Sequence, residues 1–229
     1  MSVLEVHHLS KNFGGVAAVD AMSFSLGQSE FLALIGPNGA GKTTCFNMLN
    51  GYLKPDRGSV RLGEAELVGL KPRTVWRMGV GRTFQITQTF ATMTVRENVQ
   101  MALISHYRKT LSFFGRATVQ YVDEADALLD RVGMLADGAR AASELAYGDL
   151  KRLELAIALA HRPKLLLMDE PTAGMAPSER LSLMALTAGI IKGEGVSVLF
   201  TEHDMDVVFA HADRILVLNR GRLIAEGTG

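Results

Sequence analysis

The stretch FLALIGPNGAGKTTCF, residues 31–46, decides how the rest of the chain is read. Phe31-Leu32-Ala33-Leu34-Ile35 is a short apolar run, as expected of a strand covered on both faces. It leads into Gly36-Pro37-Asn38-Gly39-Ala40-Gly41-Lys42-Thr43-Thr44, the full P-loop pattern, in which Gly36 and Gly41 bracket four residues and Lys-Thr follows. An amphipathic helix comes next. In such a loop the glycines let backbone N–H groups turn inward to face phosphate oxygens. The helix N-terminus adds positive partial charge at the same place. Lys42 is then the group that reaches β- and γ-phosphates, and Thr43 the hydroxyl offered to Mg²⁺. An ordinary glycine-rich turn has no need of a Lys-Thr pair between a buried strand and a helix.

The organisation outward from this loop agrees with it. The first sixty-odd residues are β-rich. From Lys164 onward strand and helix signals alternate: an apolar run at 165–168, a helix after Pro177, a run at 196–201, a helix after Asp204, a run at 215–218. Such alternation predicts a parallel sheet with helices on both faces. Residues 217–224 read as a closing hairpin. The segment from Thr94 to Arg162 is mostly helical and breaks the alternation, so it reads as a lobe inserted at about residues 86–160. The expected fold class is α/β: a P-loop NTPase with a β-rich N-terminal part, a RecA-like core and an inserted helical lobe, all in one nucleotide-binding domain over residues 1–229.

Composition narrows the function. The 229 residues include 24 basic and 24 acidic side chains, so net charge offers no case for bulk nucleic-acid binding. A single cysteine, Cys45, excludes an internal disulfide framework and fits a reducing compartment. The first residues show no basic region followed by an apolar one, hence no secretory signal. Runs such as Leu165-Leu166-Leu167-Met168 are far too short to span a bilayer. A soluble chain that docks on a membrane protein is expected. The eleven methionines are expected as core filler.

A second site signal is Leu165-Leu166-Leu167-Met168-Asp169-Glu170, a buried strand ending in two acids. Ligands sit at strand ends of open α/β sheets. Successive side chains alternate along a strand, so the two acids have different roles. Asp169 is the candidate magnesium-associated acid, and Glu170 the candidate that polarises an attacking water. His203 follows the run at 196–201 and lies at another strand end. Gln85, after Arg82-Thr83-Phe84, is a neutral amide where the inserted lobe begins. A third stretch, ELAYGDLKRLELA at 144–156, has helical spacing, with Leu150, Leu153, Ile157 and Ala160 on one face. Yet Gly148 sits in its first turn, as if the backbone there must meet something closely.

These elements in this order resemble the ATP-binding subunit of an ABC transporter. The resemblance covers nearly the whole chain: the P-loop at 36–44, a glutamine loop at Gln85, a signature at 145–149, Asp169-Glu170 and a switch histidine at His203. It implies ATP and Mg²⁺ as cofactors, with Gln85 near the metal alongside Thr43 and Asp169, and Glu170, His203 and Gln85 at the reacting end. It also implies an aromatic residue stacked on adenine. Phe13 is the candidate, a core aromatic being the other reading of that residue. In this family two subunits sandwich two ATP molecules, and the signature of one meets the γ-phosphate held by the other, which would explain Gly148. The family pattern Leu-Ser-Gly-Gly-Gln is altered here. Ala146 replaces the serine, Tyr147 the first glycine and Asp149 the glutamine, which predicts a weaker contact that still uses backbone N–H groups. The dimer-loop aspartate is absent, since Pro171 is followed by Thr172-Ala173-Gly174-Met175-Ala176.

Within the family, Arg82-Thr83-Phe84-Gln85, Met93-Thr94-Val95-Arg96-Glu97-Asn98-Val99, Tyr147-Gly148-Asp149 and Ala173-Gly174-Met175 are most similar to ATPases of bacterial branched-chain amino-acid importers. Residues 106–118 correspond to a longer segment of that group. Its relatives usually run on past the final hairpin, whereas this sequence stops at Gly229. The implied partners are integral membrane permease subunits, a second ATP-binding subunit (itself or a paralogue) and, indirectly, a periplasmic solute-binding protein, at the cytoplasmic face of a bacterial inner membrane. The rivals are a related urea or short-amide importer and a soluble ABC ATPase that moves no solute. The latter usually carries two nucleotide domains or long coiled-coil insertions, neither of which is visible here.

Overall fold

Alternation along the central strands sends their side chains into two separate apolar cores, and this explains why those strands read as unbroken apolar runs. The computed structural model describes residues 2–83, 89–107 and 121–228. Strands β1 (Ser2–Phe13), β2 (Val16–Gly27), β4 (Arg57–Leu62) and β5 (Ala65–Glu66) form an antiparallel sheet in the order β2-β1-β4-β5. A second sheet has the order β10-β9-β3-β8-β7-β6. It contains β3 (Phe31–Ile35), β6 (Val80–Thr83), β7 (Leu165–Asp169), β8 (Ser197–Thr201), β9 (Arg214–Asn219) and β10 (Arg222–Gly227). Its strands pair in parallel except the last, where β9 and β10 close as the antiparallel hairpin expected at the end of the chain.

On one face of this sheet Leu32, Leu34, Leu165, Leu167, Leu199, Leu216 and Leu218 meet helix α1 (Lys42–Leu49) and the antiparallel sheet. On the other face Phe31, Ala33, Leu166, Met168, Val198 and Phe200 meet the helices. These are α3 (Val95–His106), α4 (Val122–Arg131), α5 (Tyr147–Leu159), α6 (Pro177–Glu194) and α7 (Met205–His211), while the short α2 (Pro72–Arg77) lies before β6. Each fully buried Leu or Phe side chain contributes about 1.5–3 kcal/mol. The helical segment therefore shares one continuous core with the sheet.

Local chemistry sets where the helices start. Thr94 and Glu97 form a reciprocal cap at the head of α3, with Glu97 N–H donating to Thr94 Oγ1 at 3.2 Å and Thr94 N–H donating to Glu97 Oε2 at 2.8 Å. Arg96 Nε donates to Asp126 Oδ1 at 2.5 Å and ties α3 to α4. Helix α5 differs from the one-faced helix expected from its spacing. Leu153 and Ala160 are buried, but so are Lys151 and Glu154, which pair at 3.0 Å. The reason is its position: α5 packs against α3, α4, α6 and β6 at once. Its N-cap is Ala146, which supplies no side-chain acceptor.

The P-loop between β3 and α1 is packed tightly by neighbouring backbone. A Cβ at Gly41, where φ is +110°, would lie 2.2 Å from the carbonyl oxygen of Ala18, and one at Gly36 would lie 2.1 Å from that of Leu218. Gly39 has φ +78° but open space around it. Gly39→Ala should therefore cost about 1–2 kcal/mol, from the left-handed backbone alone. Gly41→Ala should cost about 2–6 kcal/mol, from strain and overpacking together. Urea denaturation of the two variants checks this, and equal losses would contradict it. At the head of α5, Ala146→Ser should supply the missing cap and raise unfolding free energy by about 0.5–2 kcal/mol in the same assay.

Candidate nucleotide site

Residues far apart in the chain meet at the carboxyl ends of β3, β7 and β8. Asn38, Gly39, Ala40, Gly41, Lys42, Thr43 and Thr44 line a concavity of about 170 Å³ with Ala18 and Glu170. Lys42 opens α1, is 7% exposed, and donates through Nζ to the carbonyl oxygens of Gly36 at 2.6 Å and Pro37 at 3.3 Å. The ammonium thus lies against the loop whose amides would face phosphate. Burial lowers its pKa from the ordinary lysine value, and the Glu170 and Asp169 carboxylates oppose that shift. The loop is also braced from outside, where Gly221 N–H, in the β9–β10 turn, donates to Ala40 O at 2.8 Å.

Asp169 ends β7 and is 5% exposed. Its Oδ1 accepts from Thr201 Oγ1 at 2.9 Å and its Oδ2 from Arg82 Nη2 at 3.2 Å. Arg82 in turn donates to Asn47 Oδ1 on α1 at 2.7 Å. Glu170 has φ +49°, an unusual left-handed conformation for a non-glycine residue. Its N–H donates to Thr201 Oγ1 at 3.0 Å, and its Oε1 accepts from His203 Nε2 at 2.9 Å. A carboxylate only accepts, so this contact makes Nε2 the protonated nitrogen. Glu170 and Asp169 thus diverge as the strand alternation requires.

The other predicted residues lie apart from this cluster. Phe13 is 48% exposed at the end of β1, with Lys11 Nζ 5.7 Å from its ring centroid, so it is not a core residue. Gln85 lies outside the described residues, as does most of the predicted 106–118 segment. Ala146, Gly148 and Asp149 line a separate concavity of about 310 Å³ with Met175 and Glu179, which shares no described lining residue with the P-loop concavity. Tyr147 is 42% exposed and packs beside Gly174, with Lys151 Nζ 5.5 Å from its ring centroid. A Cβ at Gly148 would meet Met175 Cε at 3.5 Å, an ordinary contact, and its φ is not positive. Neither space nor backbone within this chain requires the glycine.

Sequence reasoning missed Thr201 and Arg82 as site residues. The only signal was position: a hydroxyl at the end of the strand beside Asp169, and an arginine at the end of β6. It also missed Glu202, 5% exposed, whose Oε1 accepts from Thr172 N–H and Oγ1 at 2.9 and 2.6 Å.

Comparison with known proteins gives the family. Residues 19–173 match the ABC transporter family. The chain is 43% identical to the high-affinity branched-chain amino acid transport ATP-binding protein LivG of Escherichia coli (strain K12), over 99% of this chain and 91% of that one. It is 38% identical to the corresponding protein BraF of Pseudomonas aeruginosa, with the same shares covered. Its fold is similar to a nucleotide-free ATP-binding cassette from an ABC transporter, with a TM-score of 0.88 and 32% identity over 100% of this chain and 92% of that one. An ADP-bound conformation of such a cassette gives a TM-score of 0.89 at 32% identity, with the same shares covered. With the family model matching residues 19–173 and relatives up to 43% identical over nearly the whole chain, the chain belongs to the ATP-binding subunits of ABC transporters, in the group of branched-chain amino-acid transport ATPases.

Proposed function

We propose that this chain hydrolyses MgATP to power import of branched-chain amino acids through membrane permease subunits. The observation that carries the reading is one concavity lined by the P-loop and Glu170, with His203 bonded to Glu170. Amides of residues 38–44 and Lys42 bind and orient the phosphates. Phe13, exposed beyond the loop, is available to stack on the adenine. Thr43 and Asp169 are hard oxygen donors suited to Mg²⁺, with the remaining ligands from phosphate and water. Gln85 is proposed as a further contact near that ion. The ion, when bound, neutralises charge on the β- and γ-phosphates. Glu170 orients a water against the γ-phosphorus and takes its proton as the new P–O bond forms and the bond to the ADP oxygen breaks. His203 holds the Glu170 carboxylate in place. A second subunit supplies the 145–149 segment to complete the site, its backbone N–H groups at the head of α5 meeting phosphate.

Among the described residues no helix is long and apolar enough to cross a membrane. We assign attachment, at the cytoplasmic face and with a periplasmic solute-binding protein acting on the far side, to a groove of about 690 Å³ beside the proposed helical lobe at 86–160. Val75, Trp76 and Ile157 make it apolar, and Lys71 and Arg73 add positive charge, with no acid in the described lining. His161, buried to 6% exposure, lines it against the Trp76 ring at a centroid distance of 4.8 Å, and Asn50 lines it with its Nδ2 lacking a hydrogen-bond partner among the described residues. Burial, then the neighbouring His106, lowers the His161 pKa to about 4, so it stays neutral near pH 7. An apolar segment of a membrane subunit carrying a carboxylate fits this chemistry.

Glu170→Gln keeps the side chain's size and removes its basicity. Hydrolysis should fall about 10²-fold or more, while ATP affinity by calorimetry stays within a few-fold. A variant hydrolysing at the parent rate would place the base elsewhere. Arg73→Glu should weaken co-purification with the membrane subunits at least tenfold and leave ATP affinity unchanged. Retained co-purification would remove the groove from the docking surface.

A further inference from the structure

The loop between β7 and α6 touches both ends of the chemistry, and one side chain ties it down. Gly174 lies under the Tyr147 ring and Met175 lies beside Gly148, so the loop forms the floor of the 145–149 segment. Arg180, on α6, donates through Nε to Met175 O at 2.8 Å and through Nη1 to Asp204 Oδ2 at 2.8 Å. Asp204 directly follows His203 and caps α7, its Oδ1 accepting from Asp206 N–H at 3.0 Å. His203 in turn bonds Glu170. The start of the same loop is held separately by buried Glu202, which joins Thr172 to His203 N–H. At the other end of the loop Glu179 Oε2 accepts from Ala176 N–H at 3.2 Å within the head of α6, and among the described residues it is the Arg180 fork that joins this end to Asp204.

We propose that Arg180 is a positioning residue: it couples the 145–149 segment, which faces a partner's nucleotide, to this chain's own His203 and Glu170. The planar guanidinium suits the task because two donors in fixed relation engage two acceptors on different segments. A displacement of the segment against Met175 is transmitted through the fork to the cap beside His203. This supplies, within one chain, a link between sites where the dimer-loop aspartate is missing. The inference rests on the reading of Glu170 and His203 as the residues that handle the attacking water.

The test uses the full chain co-purified with its membrane subunits, assayed for hydrolysis in single-turnover and steady-state modes. Arg180→Met should lower kcat about tenfold with KM for MgATP within threefold. In a His203→Ala background the same substitution should change the rate less than twofold, because the two act in series. Asp204→Asn retains a capping side chain and loses the ion pair, so it should reproduce both results even if Arg180→Met fails to fold. A kcat within twofold of the parent for Asp204→Asn, a change confined to KM, or the same tenfold loss with and without His203 would each overturn the proposal. Glu170→Gln runs in parallel. If it retains parent activity, the underlying reading fails; if it is inactive while the Asp204 variant is normal, only the coupling role of Arg180 fails.

Discussion

One hydroxyl holds the reacting end of this molecule together. Thr201 Oγ1 has one proton to donate and gives it to Asp169 Oδ1, while accepting from Glu170 N–H. The carbonyl of the same residue also accepts from Glu170 N–H, at 3.2 Å. The end of β8 thereby fixes both acids at the end of β7, one through its side chain and the other through its backbone. Parallel pairing of the two strands, with Asp169 opposite Thr201, puts the hydroxyl there. A slip of one residue would turn both acids to the wrong faces.

That pin explains how Glu170 sustains a left-handed backbone. The conformation costs on the order of 1–3 kcal/mol and persists only where the surroundings over-determine it. Here two hydrogen bonds to Thr201 hold the amide, and His203 holds the carboxylate. The result is a carboxylate turned into the P-loop concavity and away from Asp169. The loop itself is equally constrained, by Ala18 and Leu218 carbonyls against Gly41 and Gly36 and by Gly221 N–H on Ala40. Its glycines answer packing from β2 and β9 as well as the needs of a phosphate.

The parts legible in the sequence were those encoded over short distances. The P-loop, the apolar strands and the acids closing β7 each lie within a few residues of chain. What escaped was pairing across the chain: Arg82 with Asp169 and Asn47, Thr201 with both acids, Glu202 with Thr172. No local pattern distinguishes a threonine that ends a strand from one that holds a buried acid. The same limit applies to α5. Its spacing indicated one buried face, and only tertiary packing shows that the face bearing Lys151 and Glu154 is buried too, by pairing the charges with each other.

Gly148 is not explained by its described surroundings. A glycine in a helix costs about 1 kcal/mol relative to alanine, and here its own surroundings would accept a Cβ at 3.5 Å. Tyr147 beside it is large and 42% exposed, and Ala146 leaves the helix without a side-chain cap. Uncapped N–H groups at a helix head attract anions, and glycine adds no side chain beside them. Glycine at 148 and the missing cap at 146 together leave the amides at the head of α5 without side-chain cover. The described lining of the P-loop concavity includes no residue from this segment, so these amides and the P-loop do not share one concavity within a single chain.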